Sequence, residues 1–207
     1  GRTLTVRLNS KASVKSVAVN GAAGTFRPGA EPRGDLQRVE IALPATVAPN
    51  ASTAVTVTYS LPVEANTGLI AISPIATQFL PLSFWYPVPN TPYTVRGADT
   101  APFRLSVNLP NVISSGVEKS NAGGLVSFEQ TLHGQPFFLQ GDWDKVEGGA
   151  DGGKSIVVLM EKGMGAEERK RAEALILFTG AARNFFAGMF GPSPDVPLRL
   201  VAVRSGA

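Results

Sequence analysis

From its first residues to about Asp144, the chain repeats one short unit: an alternating apolar and polar run closed by Gly, Pro or Asn. A period of two places alternate side chains on opposite faces, so each run reads as a half-buried antiparallel strand. Leu4, Val6 and Leu8 alternate with Thr3, Thr5, Arg7 and Asn9, and Val17 and Val19 lead into Asn20-Gly21. That dipeptide predicts a tight turn, because both residues tolerate positive φ. Further strands are predicted over 36–43, 54–61, 68–73, 103–109, 125–132 and 136–141. Pro44, Pro62 and Pro110 stand just past strands, where a missing N–H does least harm. At least eight short strands without a helix among them predict a mainly β fold, an antiparallel β-sandwich or curved double sheet.

The pattern then changes. Residues 147–153 hold four glycines and Asp151, and read as a flexible joint. A continuous apolar run over 155–160 predicts a strand buried on both faces. Residues 165–190 have helical spacing, with Ala174, Phe178, Ala182, Phe185 and Met189 expected on the inner side. Glu167 and Glu168 suit the positive end of the helix dipole, and Gly191, Pro192 and Pro194 close it. A last apolar strand covers 198–203. The predicted organisation is a β domain over 1–146, a joint over 147–153, and an incomplete strand-helix-strand α/β piece over 154–207. A chain that opens on Gly1 and stops on Ser205-Gly206-Ala207 straight after a strand reads as an excised piece of a longer protein.

The residue inventory excludes several chemistries. No cysteine is present, so disulfides, thiolate metal sites and thiol nucleophiles are all absent. His133 is the only histidine, so neither a two-histidine zinc site nor an HExxH helix can be assembled. It lies in Leu132-His133-Gly134-Gln135-Pro136, which reads as an exposed hairpin turn and not as part of a Ser-His-Asp device. Asp142, Asp144, Glu147 and Asp151 suggest a calcium loop, but the EF-hand order is not met and solvated loop residues are the favoured reading. Asn50-Ala51-Ser52 is a formal glycosylation acceptor, a pattern too common to carry weight alone. Phe84, Trp85 and Tyr86 form the densest aromatic group, either core or a stacking platform for sugar or peptide. A net charge of +3 with scattered arginines argues against nucleic acid. Arg169, Lys170 and Arg171 stand beside Glu167, Glu168 and Glu173, where charges can pair at three- and four-residue spacing, and read as a solvated helix face. No apolar run approaches the ~20 residues of a membrane-spanning helix. Localisation stays open.

The order of motifs resembles the aminopeptidase N family of zinc metallopeptidases. The opening third is similar to that family's in Val17-Ala18-Val19-Asn20-Gly21 and Val57-Thr58-Tyr59-Ser60. Pro87-Val88-Pro89-Asn90-Thr91-Pro92 resembles a segment along the active-site rim, with Asn90 in place of the usual Asp. Phe103-Arg104-Leu105-Ser106-Val107-Asn108-Leu109-Pro110 and Ser115-Gly116 resemble the passage that follows, with a longer spacing from Pro92. The helix ending Phe185-Phe186-Ala187-Gly188-Met189-Phe190-Gly191-Pro192-Ser193-Pro194 and the strand from Leu198 to Val203 resemble the entry into a thermolysin-like catalytic domain.

The resemblance implies a non-catalytic N-terminal region that shapes the substrate cleft of its parent enzyme, plus the start of the catalytic domain. The family's GxMEN strand and HExxH helix lie beyond the matching segment. No cofactor is therefore expected in this chain, and zinc is expected in the parent. The expected partners are the remainder of the catalytic domain and a peptide substrate, with a dimer of the piece as a further possibility. Catalytic and metal-binding residues are expected to be none. Counting back from Pro87, the resemblance puts Gln78 at the position that helps hold the substrate's free amino group, and Ser83 where the family has Arg. An exposed strand-end residue is the alternative for Gln78. The rival from another class is a stand-alone β-sandwich binding or adhesion module with the helix as a docking element.

Overall fold

The computed structural model describes residues 1–31, 35–73, 76–89, 100–149, 155–192 and 198–203. The chain divides into two compact units. The first comprises Gly1–Ile72, Thr77–Asn108 and Ile113–Leu139, and the second comprises Ser73–Ala76, Leu109–Val112 and Gln140–Ala207.

The first unit is built from short strands: β1 (Thr3–Asn9), β2 (Ser13–Val19), β3 (Ala22–Gly24), β4 (Phe26–Ala30), β5 (Leu36–Ala42), β6 (Val55–Ser60), β7 (Ile70–Ile72), β8 (Thr77–Phe79), β9 (Val88–Pro89), β10 (Ala101–Val107), β11 (Val112–Ser114), β12 (Val117–Ala122), β13 (Leu125–Gly134) and β14 (Phe138–Gln140), of which the end residues Val112 and Gln140 count with the second unit. They form four sheets in the orders β4-β5-β1-β9, β3-β2-β6, β11-β14-β8-β7 and β10-β13-β12. The mainly β class and the antiparallel pairing agree with the sequence pattern.

Register explains the sandwich. In the β1–β5 pair, Val6 faces Val39 and Leu4 faces Ile41; in the β2–β6 pair, Val17 faces Val57 and Val19 faces Val55. Because side chains alternate, these pairs give each sheet one apolar face, and Val6, Val17, Val19, Val39 and Ile41 meet in a single core. The Asn20-Gly21 turn has φ of 49° and 83°, and it joins Val19 to its cross-strand partner Ala22. Asn20 also ties the turn to β6, its N–H donating to the Ala54 carbonyl and its Oδ1 accepting from the Ala54 N–H.

The second unit is a three-stranded sheet with one helix. β15 (Trp143–Gly149) pairs antiparallel with β16 (Ser155–Glu161), which pairs in parallel with β17 (Leu198–Ala202) across helix α1 (Ala166–Phe190). Its core is Val146, Ile156, Val158, Met160, Ala172 and Ile176. At the start of α1, Glu168 accepts a hydrogen bond from the Gly165 N–H at 3.1 Å, so one of the acidic first-turn residues caps the helix. No helix among the described residues is long and apolar enough to cross a membrane.

Three expectations need correction. Glu147, Gly148 and Gly149, read as part of a joint, are the end of β15, while residues 150–153 lie outside the described residues. His133 is not in a hairpin turn but near the end of the ten-residue strand β13, exposed, with Nδ1 3.1 Å from the Thr100 carbonyl. The buried seam of α1 is Ala172, Ile176 and Gly180, not the predicted stripe: Phe178 is 73% exposed and Phe185 64%. Large apolar residues occur on more than one side of the second half of the helix, so periodicity alone could not select the face; the seam that packs holds Ala172, Ile176 and Gly180, and its two small members let the helix approach the sheet closely.

Candidate functional site

Gln78 lies in β8, which pairs with β7 so that Gln78 stands opposite Ala71. Its side chain is half-buried, and its Nε2 donates to the Gly68 carbonyl at 2.9 Å. One N–H of the amide is thereby engaged, which orients the side chain; Oε1 is its acceptor end. The bend that presents Gly68 is itself held by side chains. Asn66 Oδ1 accepts from the Gly68 N–H at 2.7 Å, and Thr67 Oγ1 accepts from the Ile70 N–H at 3.2 Å. From Gly68 to Pro89 the sequence contains no Asp, Glu, Lys or Arg, so the hairpin and the turn after it carry no formal charge.

After β8 the chain makes a 3-10 turn over Pro81–Ser83 that ends on Phe84 in the left-handed conformation, φ 52° and ψ 39°. For a residue with a β-carbon that conformation costs about 1–2 kcal/mol. Its partners offset the cost: the Phe84 carbonyl accepts from the Asn9 N–H at 2.9 Å, and the Asn9 side-chain amide donates to the Ser83 carbonyl at 2.9 Å. Ser83 is buried, and its hydroxyl donates to the Leu80 carbonyl at 2.6 Å. The residue that stands where the resemblance has Arg is thus a turn lock and supplies no positive charge.

Trp85 and Tyr86 follow in an irregular segment. Trp85 packs edge-on against Phe79 at 5.8 Å, Phe138 at 5.4 Å and Tyr86 at 5.0 Å, and Phe79 stacks on Phe138 at 4.8 Å. The group is an aromatic cluster behind the hairpin, with Trp85 engaged on several sides. Tyr59 of β6 donates its hydroxyl to the Trp85 carbonyl, and burial pushes the Tyr59 phenol above its ordinary value. Asn90, Thr91 and Pro92 of the rim motif lie outside the described residues, as do Ser193 and Pro194.

The other residues considered from sequence do not converge on a site. Asp142 Oδ1 accepts from the Asn111 side chain at 3.0 Å, Trp143 Nε1 donates to the Asn111 carbonyl at 3.1 Å, and Glu147 pairs with Lys145 at 2.6 Å; Asp151 is outside the described residues. Among the described residues, no group of three His, Cys, Asp or Glu side chains is placed to hold a metal ion. Asn50 is exposed in a left-handed turn, φ 62°. Lys170 pairs with Glu167 at 2.9 Å on the solvated face of α1, as its spacing suggests.

No protein-family model matches the sequence, and no curated protein matches it. In three dimensions the chain is similar to the M1 zinc metallopeptidase from Deinococcus radiodurans, with a TM-score of 0.70 and 17% identity over 99% of this chain and 50% of that one. It is also similar to yeast LTA4 hydrolase in complex with bestatin, TM-score 0.71 and 13% identity, over 96% of this chain and 31% of that one. Native leukotriene A4 hydrolase from Saccharomyces cerevisiae gives 0.68 and 12%, over 97% and 32%. The matched part is the N-terminal region of these proteins, and this chain spans about half the length of the first and about a third of the others. The fold is therefore the one expected from the resemblance.

Proposed function

We propose that this chain is the non-catalytic N-terminal region of an aminopeptidase N-like zinc metallopeptidase, where it forms a wall of the substrate cleft and Gln78 accepts a hydrogen bond from the substrate's free amino group. The observation that supports the reading is the likeness of 99% of the chain to one half of an M1 zinc metallopeptidase. Gln78 suits the role because the bond from its Nε2 to Gly68 orients the amide, its Oε1 is an acceptor, and an ammonium is a pure donor. In this role the chain positions and excludes; it breaks no bond itself.

Zinc does not fit the residues present. The chain has one histidine and no cysteine, and no cluster of ligating side chains occurs among the described residues. The ion would be held by another part of the parent. That part is also the partner proposed for α1, whose outer side exposes Leu177, Phe178, Phe185 and Phe190. Large apolar side chains exposed in such number suit burial against another surface.

Reading the coding sequence past codon 207 is the first test. An HExxH with a later Glu supports the proposal, and a stop codon or an unrelated repeat supports a stand-alone binding module. In the full-length protein, Gln78→Ala is expected to raise KM about tenfold for peptides with a free amino terminus, the loss of one hydrogen bond to a charged group. An unchanged KM would remove Gln78 from the site.

A further inference from the structure

The first unit contains a cleft of about 510 Å³ formed by the turn after β1, the loop between β6 and β7, and the 3-10 turn. That volume lies within the ~300–1,000 Å³ typical of small-molecule sites. Val63, Leu69, Leu82 and Phe84 supply its apolar surface, and Leu82 is left 65% exposed. Phe84 is the residue held in the left-handed conformation, and strain of this kind gathers where a fold must present a ligand surface.

Charge is confined to a few side chains lining the cleft. Lys11 Nζ and Glu64 Oε2 lie 3.2 Å apart, with their side chains 56% and 73% exposed. A pair so exposed contributes little to stability, so a ligand bearing both charges can open it at little cost. Asp35 adds a second carboxylate to the lining.

We propose that this cleft binds a free amino acid with an apolar side chain. Its α-carboxylate would meet Lys11, its α-ammonium would meet Glu64, and its side chain would lie on Leu69, Leu82 and Phe84. An α-amino acid carries its two opposite charges on one carbon, so it can meet a cation and an anion that start as direct neighbours after only a small separation of the pair, which a longer zwitterion cannot. Leu69, Ile70, Leu82 and Phe84 belong to the uncharged segment that also carries Gln78, but Gln78 itself does not line the cleft, and the inference does not depend on the peptidase reading.

The test is an NMR titration of the 207-residue chain with L-phenylalanine. Saturable amide shifts are expected near residues 9–11, 61–70 and 82–84. N-acetyl-phenylalanine and phenylalaninamide, which each lack one charge, are expected to bind about tenfold more weakly, and Lys11→Ala and Glu64→Gln to weaken L-phenylalanine to a similar degree. Both substituted residues are exposed, and unchanged spectra elsewhere verify that each variant is folded. No saturable shift, shifts outside the cleft, equal binding of the capped molecules, or indifference to both substitutions would each overturn the proposal.

Discussion

Gly148 of β15 lies under Ile176 of α1, so close that a β-carbon on Gly148 would stand 2.6 Å from the Ile176 Cγ2. Ile176 is buried and its branched side chain has little rotameric freedom, so the helix sits at the distance that a glycine allows. Gly148→Ala is therefore expected to destabilise the second unit by about 1–3 kcal/mol, the usual cost of overpacking. Gly188→Ala is the contrast. A β-carbon there meets nothing within 4 Å, and relief of glycine's entropy is expected to stabilise the helix by about 0.5–1 kcal/mol. Urea denaturation of the two variants distinguishes the effects.

The two sides of α1 are expected to respond oppositely to substitution. Ile176→Ala removes core volume and should cost about 2–5 kcal/mol. Phe178→Glu acts on a ring that is 73% exposed, and it should leave the midpoint of denaturation nearly unchanged while lowering the binding of an apolar dye. Destabilisation by Phe178→Glu as large as that of Ile176→Ala would mean that the outer face is already packed in this chain.

One tyrosine is expected to ionise abnormally late. Burial raises the Tyr59 phenol above its ordinary 10.0, so the unfolded chain loses this proton at lower pH than the folded one. The resulting stability is fully present below the unfolded value and is lost as pH climbs from there through the folded value. Ultraviolet titration of phenolate should show a late transition that Tyr59→Phe removes.

Glu129 is expected to behave in the opposite sense. The hydrogen bond and charge of Arg104 hold its carboxylate below the ordinary 4.5, with a further contribution from Lys119. Its contribution is present above the unfolded value and is lost as pH falls through the folded one. The group is at the surface, so the effect is small and salt should erase it. NMR titration of the Glu129 side chain should move toward the ordinary value in Arg104→Ala.

The parts of the fold legible from sequence are those where local pattern and tertiary environment agree. β1, β2, β5 and β6 alternate because one face of each meets the sandwich core, and Asn20-Gly21 turns because both residues accept positive φ. β12 was not legible: Val117–Ala122 is exposed along its whole length and is a strand only because β13 pairs with it. β15 was misread because its glycines signal a joint locally, whereas at least Gly148 makes room for Ile176. Among the site residues, Gln78 has no signature in composition or periodicity and came from the family resemblance alone. Its tie to Gly68 depends on a hairpin register that alternation does not encode. The cleft around Lys11 and Glu64 was equally invisible, since 53 positions separate the two residues.

The mixed sheet of the second unit implies an order of assembly. β15 and β16 are antiparallel neighbours across a short connection, so their pairing is a local event on the ~1–10 μs scale of hairpin formation. β17 can join β16 only after the chain has closed the much longer loop that contains α1, and that closure carries a larger entropy cost before any contact offsets it. The parallel strand is thus expected to arrive last and to detach first. A ribosome releases the three strands in the same sequence, so the hairpin can be in place before its final neighbour has been synthesised.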